Sequence, residues 1–120
     1  MTDRIIYKIL PEAQWEHAQV VGEFHGAGID LEDGYIHFST AEQLRETASK
    51  HFAGQVDLLL VAVSVESLKK LRPGALKYEP SRGGALFPHL YAAMPLEAAP
   101  WVKPLPWLHT GEHQFPDLEG

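Results

Sequence analysis

Hydrophobic and polar positions change period along the chain, and the changes mark out its elements. Residues 4–10 (RIIYKIL) are a β-rich apolar run that stops at Pro11, whose fixed φ suits the first position of a helix. In residues 12–22, Trp15, Ala18 and Val21 recur at helical spacing and Gly22 supplies a stop. Gly26, Gly28 and Asp30 then predict an irregular loop over 23–33. Over 35–40 the period is two, which puts Tyr35, His37 and Ser39 on one face and Ile36, Phe38 and Thr40 on the other. The second set has two apolar anchors for a core, so the first is expected to face a cleft or solvent.

Ser39-x-x-Glu42 and Thr40-x-x-Gln43 both fit a capping box, so a helix is expected from this point. Ala41, Leu44, Ala48 and Phe52 line its buried face, and Gly54 ends it. The apolar run 56–65, broken only by Asp57 and Ser64, reads as a central strand covered on both faces. A helical turn or two over 66–71 and a turn at Arg72-Pro73-Gly74 lead to a short strand over 75–79. Pro80 to Gly84 breaks that strand. Residues 86–91 (LFPHLY) resume β character, with Pro88 restricting them to an edge or a bulge. Prolines 95, 100, 104 and 106 space out an extended segment, and 109–120 reads as a polar, frayed tail.

The fold class expected is α+β: a single compact domain over 1–108, with about six short strands in a mixed, strongly bent sheet and two main helices. At 120 residues one core is sufficient. A content of 45% hydrophobic and 22% charged residues is ordinary globular material. The net charge of -6 argues against nucleic acid and anionic membranes as partners. The absence of cysteine removes disulfides, thiolate chemistry and Cys-type zinc sites, and makes cytoplasm the default compartment. No run is long enough to span a bilayer, and the N-terminus lacks a signal-peptide pattern.

His37 is the leading candidate for chemistry, because an imidazole on the polar face of a strand can donate to a ligand or exchange a proton near neutral pH. The alternative is a structural histidine bonded to a carbonyl. Glu79 ends a strand beside the Ser81-Arg82-Gly83-Gly84 loop, where it either serves a site or pairs with Arg82 or Lys77. Phe87, His89 and Tyr91 share one face of an extended strand, suited to stacking on a flat ring or to packing on a core. His51 is placed to cap a helix C-terminus, and His17 and His25 read as solvated. His109-x-x-Glu112-His113 has the zinc-peptidase spacing H-x-x-E-H, but Gly111 and the flanking prolines deny it a helix, so the match is read as fortuitous. Metal chemistry through His37, His89 and Glu79 lacks diagnostic ligand spacing, and no metal is expected.

Ile6-Tyr7-Lys8-Ile9, Asp33 to Thr40 (DGYIHFST), Thr47-Ala48 with His51-Phe52, Lys77-Tyr78-Glu79 and Phe87 to Tyr91 (FPHLY) together resemble domain of unknown function family 952, over nearly the whole chain up to Trp101. That family resembles in turn the ADP-ribosyltransferase fold group, which splits NAD between nicotinamide and ribose. The resemblance implies NAD as a possible substrate, with no certain cofactor, and site residues on three strands. Tyr7 and Lys8 fall on the first, Lys8 standing where the group carries His or Arg. His37, Ser39 and Thr40 fall on the second, and Glu79 on a late one. Taken with the reading of the residues themselves, the catalytic candidates are His37, Glu79 and His89, and substrate contacts are expected from Tyr7, Lys8, Tyr35, Ser39, Thr40, Arg82, Phe87 and Tyr91. The expectation is an enzyme that processes NAD or a related nucleotide; the alternative is a noncatalytic domain of the same fold that binds a small ligand.

Overall fold

The structure is a computed structural model and describes residues 3–120, apart from the side chain of Arg82. The elements run β1 (Ile5–Pro11), α1 (Glu12–Val21), β2 (Glu23–Phe24), α2 (Ile29–Asp33), β3 (Ile36–His37), α3 (Ala41–His51), β4 (Leu58–Ser64), α4 (Val65–Leu71), β5 (Leu76–Pro80), β6 (Leu86–Leu90), β7 (Met94–Pro95), β8 (Trp101–Pro104), β9 (Trp107–Leu108) and β10 (Glu112–His113).

Two three-stranded sheets carry the architecture, ordered β1-β4-β8 and β3-β6-β5. They are joined where Tyr7 and Ser39 exchange backbone hydrogen bonds of 2.8 and 2.9 Å, so the edge of one sheet continues into the other. Every strand pair among the described residues is antiparallel, which corrects the mixed sheet expected from the sequence. Hydrophobic period identifies strands but carries no information on their relative direction.

The first sheet is covered on both faces, as the apolar run in β4 predicts. Ile6 and Leu10 with Val61 and Val63 meet Trp15 and Ala18 of α1 and Leu68 of α4 on one side. Ile5, Tyr7 and Ile9 with Leu58, Leu60 and Ala62 meet Leu44 and Ala48 of α3 on the other. Successive strand residues thus feed two cores.

Several local expectations are revised. Val21 is half exposed, so α1 buries only Trp15 and Ala18. The stretch 23–33 contains β2 and α2 rather than a plain loop. Pro88 lies in β6, which runs between β3 and β5 and is no edge strand. Its carbonyl accepts from Phe38, so its missing N–H falls on that same side, just past the end of β3. The segment 109–120 is docked, not frayed. His113 is buried, Phe115 and Leu118 pack on the second core, and the Tyr7 hydroxyl donates to the Glu119 carbonyl at 2.7 Å while accepting from its N–H at 2.9 Å. The His109/Glu112/His113 spacing falls on β10 and a turn, not on a helix.

Candidate functional site

The strand 35–40 builds the site as its alternation predicts. Ile36 and Phe38 are buried in the core, Phe38 also bordering the cleft, while Tyr35, His37 and Ser39 face that cleft. Regular pairing is confined to Ile36 and His37, because Ser39 leaves β6 to pair with Tyr7 and Thr40 starts α3. The Thr40 hydroxyl accepts from Gln43 N–H, and the Gln43 side chain accepts from Thr40 N–H at 3.1 Å. Of the two overlapping capping boxes the Thr40 one forms, and the Ser39 hydroxyl instead meets Thr47 Oγ1 at 2.8 Å.

His37 lies opposite His89 in the β3–β6 register. Their ring centroids are 5.3 Å apart at a steep angle, and the Tyr35 ring stands 4.6 Å from His37, 4.2 Å from His89 and 5.0 Å from Tyr91. Two imidazoles and two phenols form one cluster at the cleft. Burial, then the charges of Asp33 and Glu79, push the Tyr35 hydroxyl pKa up.

Behind His37 is a residue that composition and spacing gave no reason to choose. Asp30, on α2, has a fully buried side chain. Its Oδ1 accepts from His37 Nδ1 at 2.6 Å, from His37 N–H at 3.0 Å and from Lys8 Nζ at 3.0 Å; its Oδ2 lies 2.7 Å from Lys8 Nζ and accepts from Ala27 N–H at 3.0 Å. Burial opposes ionisation of Asp30, but the bonds from His37, the Lys8 charge and the Ala27 amide overcome it and hold its pKa at about 2. Burial pushes the Lys8 ammonium down, against the pull of Asp30. On its other side, His37 Nε2 lies 3.0 Å from Asp33 Oδ2. Only a doubly protonated ring donates to both carboxylates at once.

His89 is supported differently. Its Nδ1 lies 2.8 Å from Glu79 Oε1, an oxygen that also accepts from the Tyr91 hydroxyl at 2.6 Å. Those bonds, Tyr91 first and then His89, hold the Glu79 carboxyl below its ordinary value. In return the Glu79 bond pushes the Tyr91 hydroxyl up to about 12. An ionised Glu79 only accepts, so Nδ1 carries the proton and Nε2 is the acceptor of a neutral His89 ring.

The cleft has a volume of about 310 Å³ and lies between β1, β3, β6 and α3. Of the residues expected there, Tyr7, Lys8, Tyr35, His37, Ser39, Phe87 and His89 line it. Tyr7 offers only its ring, since the docked tail takes its hydroxyl. Lys8 is tied to Asp30. Thr40, Glu79 and Tyr91 are not among the lining residues: Thr40 caps α3, and Glu79 with Tyr91 supports His89 from outside. The side chain of Arg82 lies outside the described residues, although its neighbour Ser81 lines the cleft. Asp33, Thr47, His51 and Phe52 line it as well. For Asp33 the signal was its place at the head of the DGYIHFST string, while Asp30 had only its loop-like glycines. Among the described residues no group of three or more His, Asp or Glu is disposed to hold a metal ion, and no helix is long and apolar enough to cross a membrane.

Comparison with known proteins yields a family and solved relatives. Residues 9–102 match the family described as "Protein of unknown function (DUF952)". The crystal structure of protein CC0527 from Caulobacter crescentus is 44% identical, covering 92% of this chain and 93% of that one with a TM-score of 0.84. The solution NMR structure of CC0527 covers 92% and 91% with a TM-score of 0.78. No curated protein matches the chain.

Proposed function

We propose, from the premise that the chain belongs to the DUF952 family, that its cleft binds a nucleotide through a flat ring and processes it in the manner of ADP-ribosyltransferases, with NAD as the substrate to try first. The observation that carries this reading is the convergence of the motif strings. Tyr7 pairs with Ser39, His37 pairs with His89, and Glu79 bonds His89, so Tyr7, Ser39, His37 and His89 line one cleft with Glu79 behind His89. Likeness to the ADP-ribosyltransferase fold and a cytoplasmic location belong to the same proposal. A volume of about 310 Å³ is at the small end for ligand pockets, of the order of one ring with its ribose, and leaves the rest of a dinucleotide outside.

In this reading Tyr35 and Phe87 supply stacking faces, and the two imidazoles play unlike parts. His37, its Nδ1 side held by Asp30, offers Nε2 to an oxygen of the ligand in place of Asp33. His89, kept by Glu79 with Nε2 as acceptor, takes a proton from a ribose hydroxyl or an attacking nucleophile. Breaking the bond between ribose and nicotinamide leaves positive charge on the sugar, which the negative charge of Glu79 favours through His89. Glu79 is then a positioning residue, with His37 and His89 at the ligand. Free nicotinamide measured after incubation with NAD tests the proposal: release by the wild type, lost in His37→Ala, supports it, and release that persists in His37→Ala removes His37 from the chemistry.

One observation favours the noncatalytic alternative. Lys8 and His37 are already engaged by Asp30 and Asp33, and the glutamate expected to face the sugar is not at the cleft wall. Calorimetric binding of NAD without turnover is the result that selects that reading.

A further inference from the structure

β5 is the outer strand of the β3-β6-β5 sheet, and the register fixes what its free edge presents. The Pro88 carbonyl accepts from Phe38, so in β6 the backbone groups of Pro88 point to β3, and those of Phe87 and His89 point to β5. Their partners Glu79 and Lys77 therefore direct their own backbone groups inward, in step with Ala75, whose carbonyl accepts from Tyr91 N–H. The outward groups belong to Leu76, Tyr78 and Pro80. Among the described residues no backbone bond from another strand or loop reaches them.

An open edge is ordinarily guarded by charge and by proline, and this one has both: Lys77 is exposed, and Pro80 lacks an N–H. These guards turn away a foreign strand but not a second copy of this chain. In an antiparallel pair centred on Tyr78, Tyr78 meets Tyr78, Leu76 meets Pro80, and Lys77 meets Glu79 of the other copy. Tyr78 exchanges N–H and C=O across the axis, and Leu76 N–H finds the Pro80 carbonyl, so the ladder closes without asking a proton of any proline. Lys77 and Glu79 share the face that carries His89, so the paired copies set charges of alternating sign side by side. Tyr78, 37% exposed, lies on the opposite face and supplies an aromatic cross-strand pair.

We infer that the protein self-associates through β5, antiparallel about Tyr78, so that the β3-β6-β5 sheets of two copies become one. The contact uses the same patch on both copies and closes at a dimer. It also adds a residue to the site. Glu79, which holds His89 through Nδ1, already feels the Lys77 of its own strand, and the Lys77 of the second copy joins it from across the edge. One short strand makes a small interface, so the dimer is weak and forms at high protein concentration.

Sedimentation equilibrium on the full chain, from about 10 μM to about 1 mM, tests the inference. The wild type is expected to pass from monomer to dimer across that range. Tyr78→Pro removes an N–H that β6 does not use, and Lys77→Glu sets like charges opposite each other; each is expected to weaken association about tenfold. Glu79→Lys is expected to self-associate as poorly. An equimolar mixture of Lys77→Glu and Glu79→Lys is nevertheless expected to dimerise as tightly as the wild type, because only the mixed pair restores opposite charges at both positions. A wild type that stays monomeric at about 1 mM overturns the inference. So does a dimer that Tyr78→Pro and Lys77→Glu leave intact, or a mixture of folded variants that fails to associate. Should loss of the His89 bond unfold Glu79→Lys, as circular dichroism would show, the wild type, Tyr78→Pro and Lys77→Glu decide the inference without it.

Discussion

His37 and His89 face each other in register, and each meets a carboxylate through Nδ1, yet the two halves of the site are built on opposite terms. On the His37 side the carboxylate is fully buried, both its oxygens are engaged, and an ammonium only 11% exposed answers its charge. On the His89 side the carboxylate is 35% exposed, and one oxygen serves both a phenol and an imidazole. A buried charge survives only if every partner is in place, so the His37 half is rigid and intolerant of change. The Glu79 half faces water, which replaces lost bonds at little cost. The contrast lies in the carboxylates and not in the rings, since the His89 side chain is only 3% exposed and that of His37 27%.

Neutralising the buried carboxylate is the strongest way to break this contrast. Asp30→Asn leaves the Lys8 ammonium without its counter-ion and is expected to lower stability by about 3–5 kcal/mol in urea unfolding. Glu79→Gln is expected to shift the midpoint far less; equal losses in the two variants would show that burial does not separate the halves. Gly26→Ala sharpens the same point from the backbone. Its φ of +112 is strained for alanine, and the added Cβ would lie 2.9 Å from Asp30 Cβ, so a loss of about 1–3 kcal/mol is expected, together with a displaced His37 signal.

Acid separates the halves as well. Because Asp30 holds its proton less firmly in the folded protein than in the unfolded chain, its contribution is complete above about pH 4 and disappears as pH falls towards about 2. Asp30→Asn is therefore expected to flatten the acid limb of the stability profile, as followed by circular dichroism from pH 5 to pH 2. The smallest effect is expected at Thr40→Ala, which removes the α3 cap for about 1 kcal/mol and leaves the two imidazole signals where they are.

The parts of the site legible in the sequence were those that a local period can carry. Alternation placed Tyr35 and His37 opposite Ile36 and Phe38, and the Thr40–Gln43 spacing announced the cap. The covered strand at β4 followed from an unbroken apolar run. Asp30 was not legible, because its meaning depends on Lys8, 22 residues away on β1, and its own neighbourhood of glycines reads as a loop. Pro88 misled for a related reason: whether proline suits an inner strand depends on where the neighbouring strand stops. The segment 109–120 is polar enough to look free, but Phe115 and Leu118 find a core, and its backbone finds the Tyr7 hydroxyl, through contacts that no local pattern announces. Glu79 stood out in the sequence as a strand-end carboxylate, but its place behind His89 did not, since that needs the β5–β6 register.

The most direct test of the account is an NMR titration with NAD that follows the imidazole signals of all seven histidines. The account predicts that His37 and His89 shift together and saturate at one concentration, while His17, His25 and His109 stay in place. Saturable movement of those outlying histidines with His37 and His89 unmoved, or no movement at any NAD concentration, would contradict it.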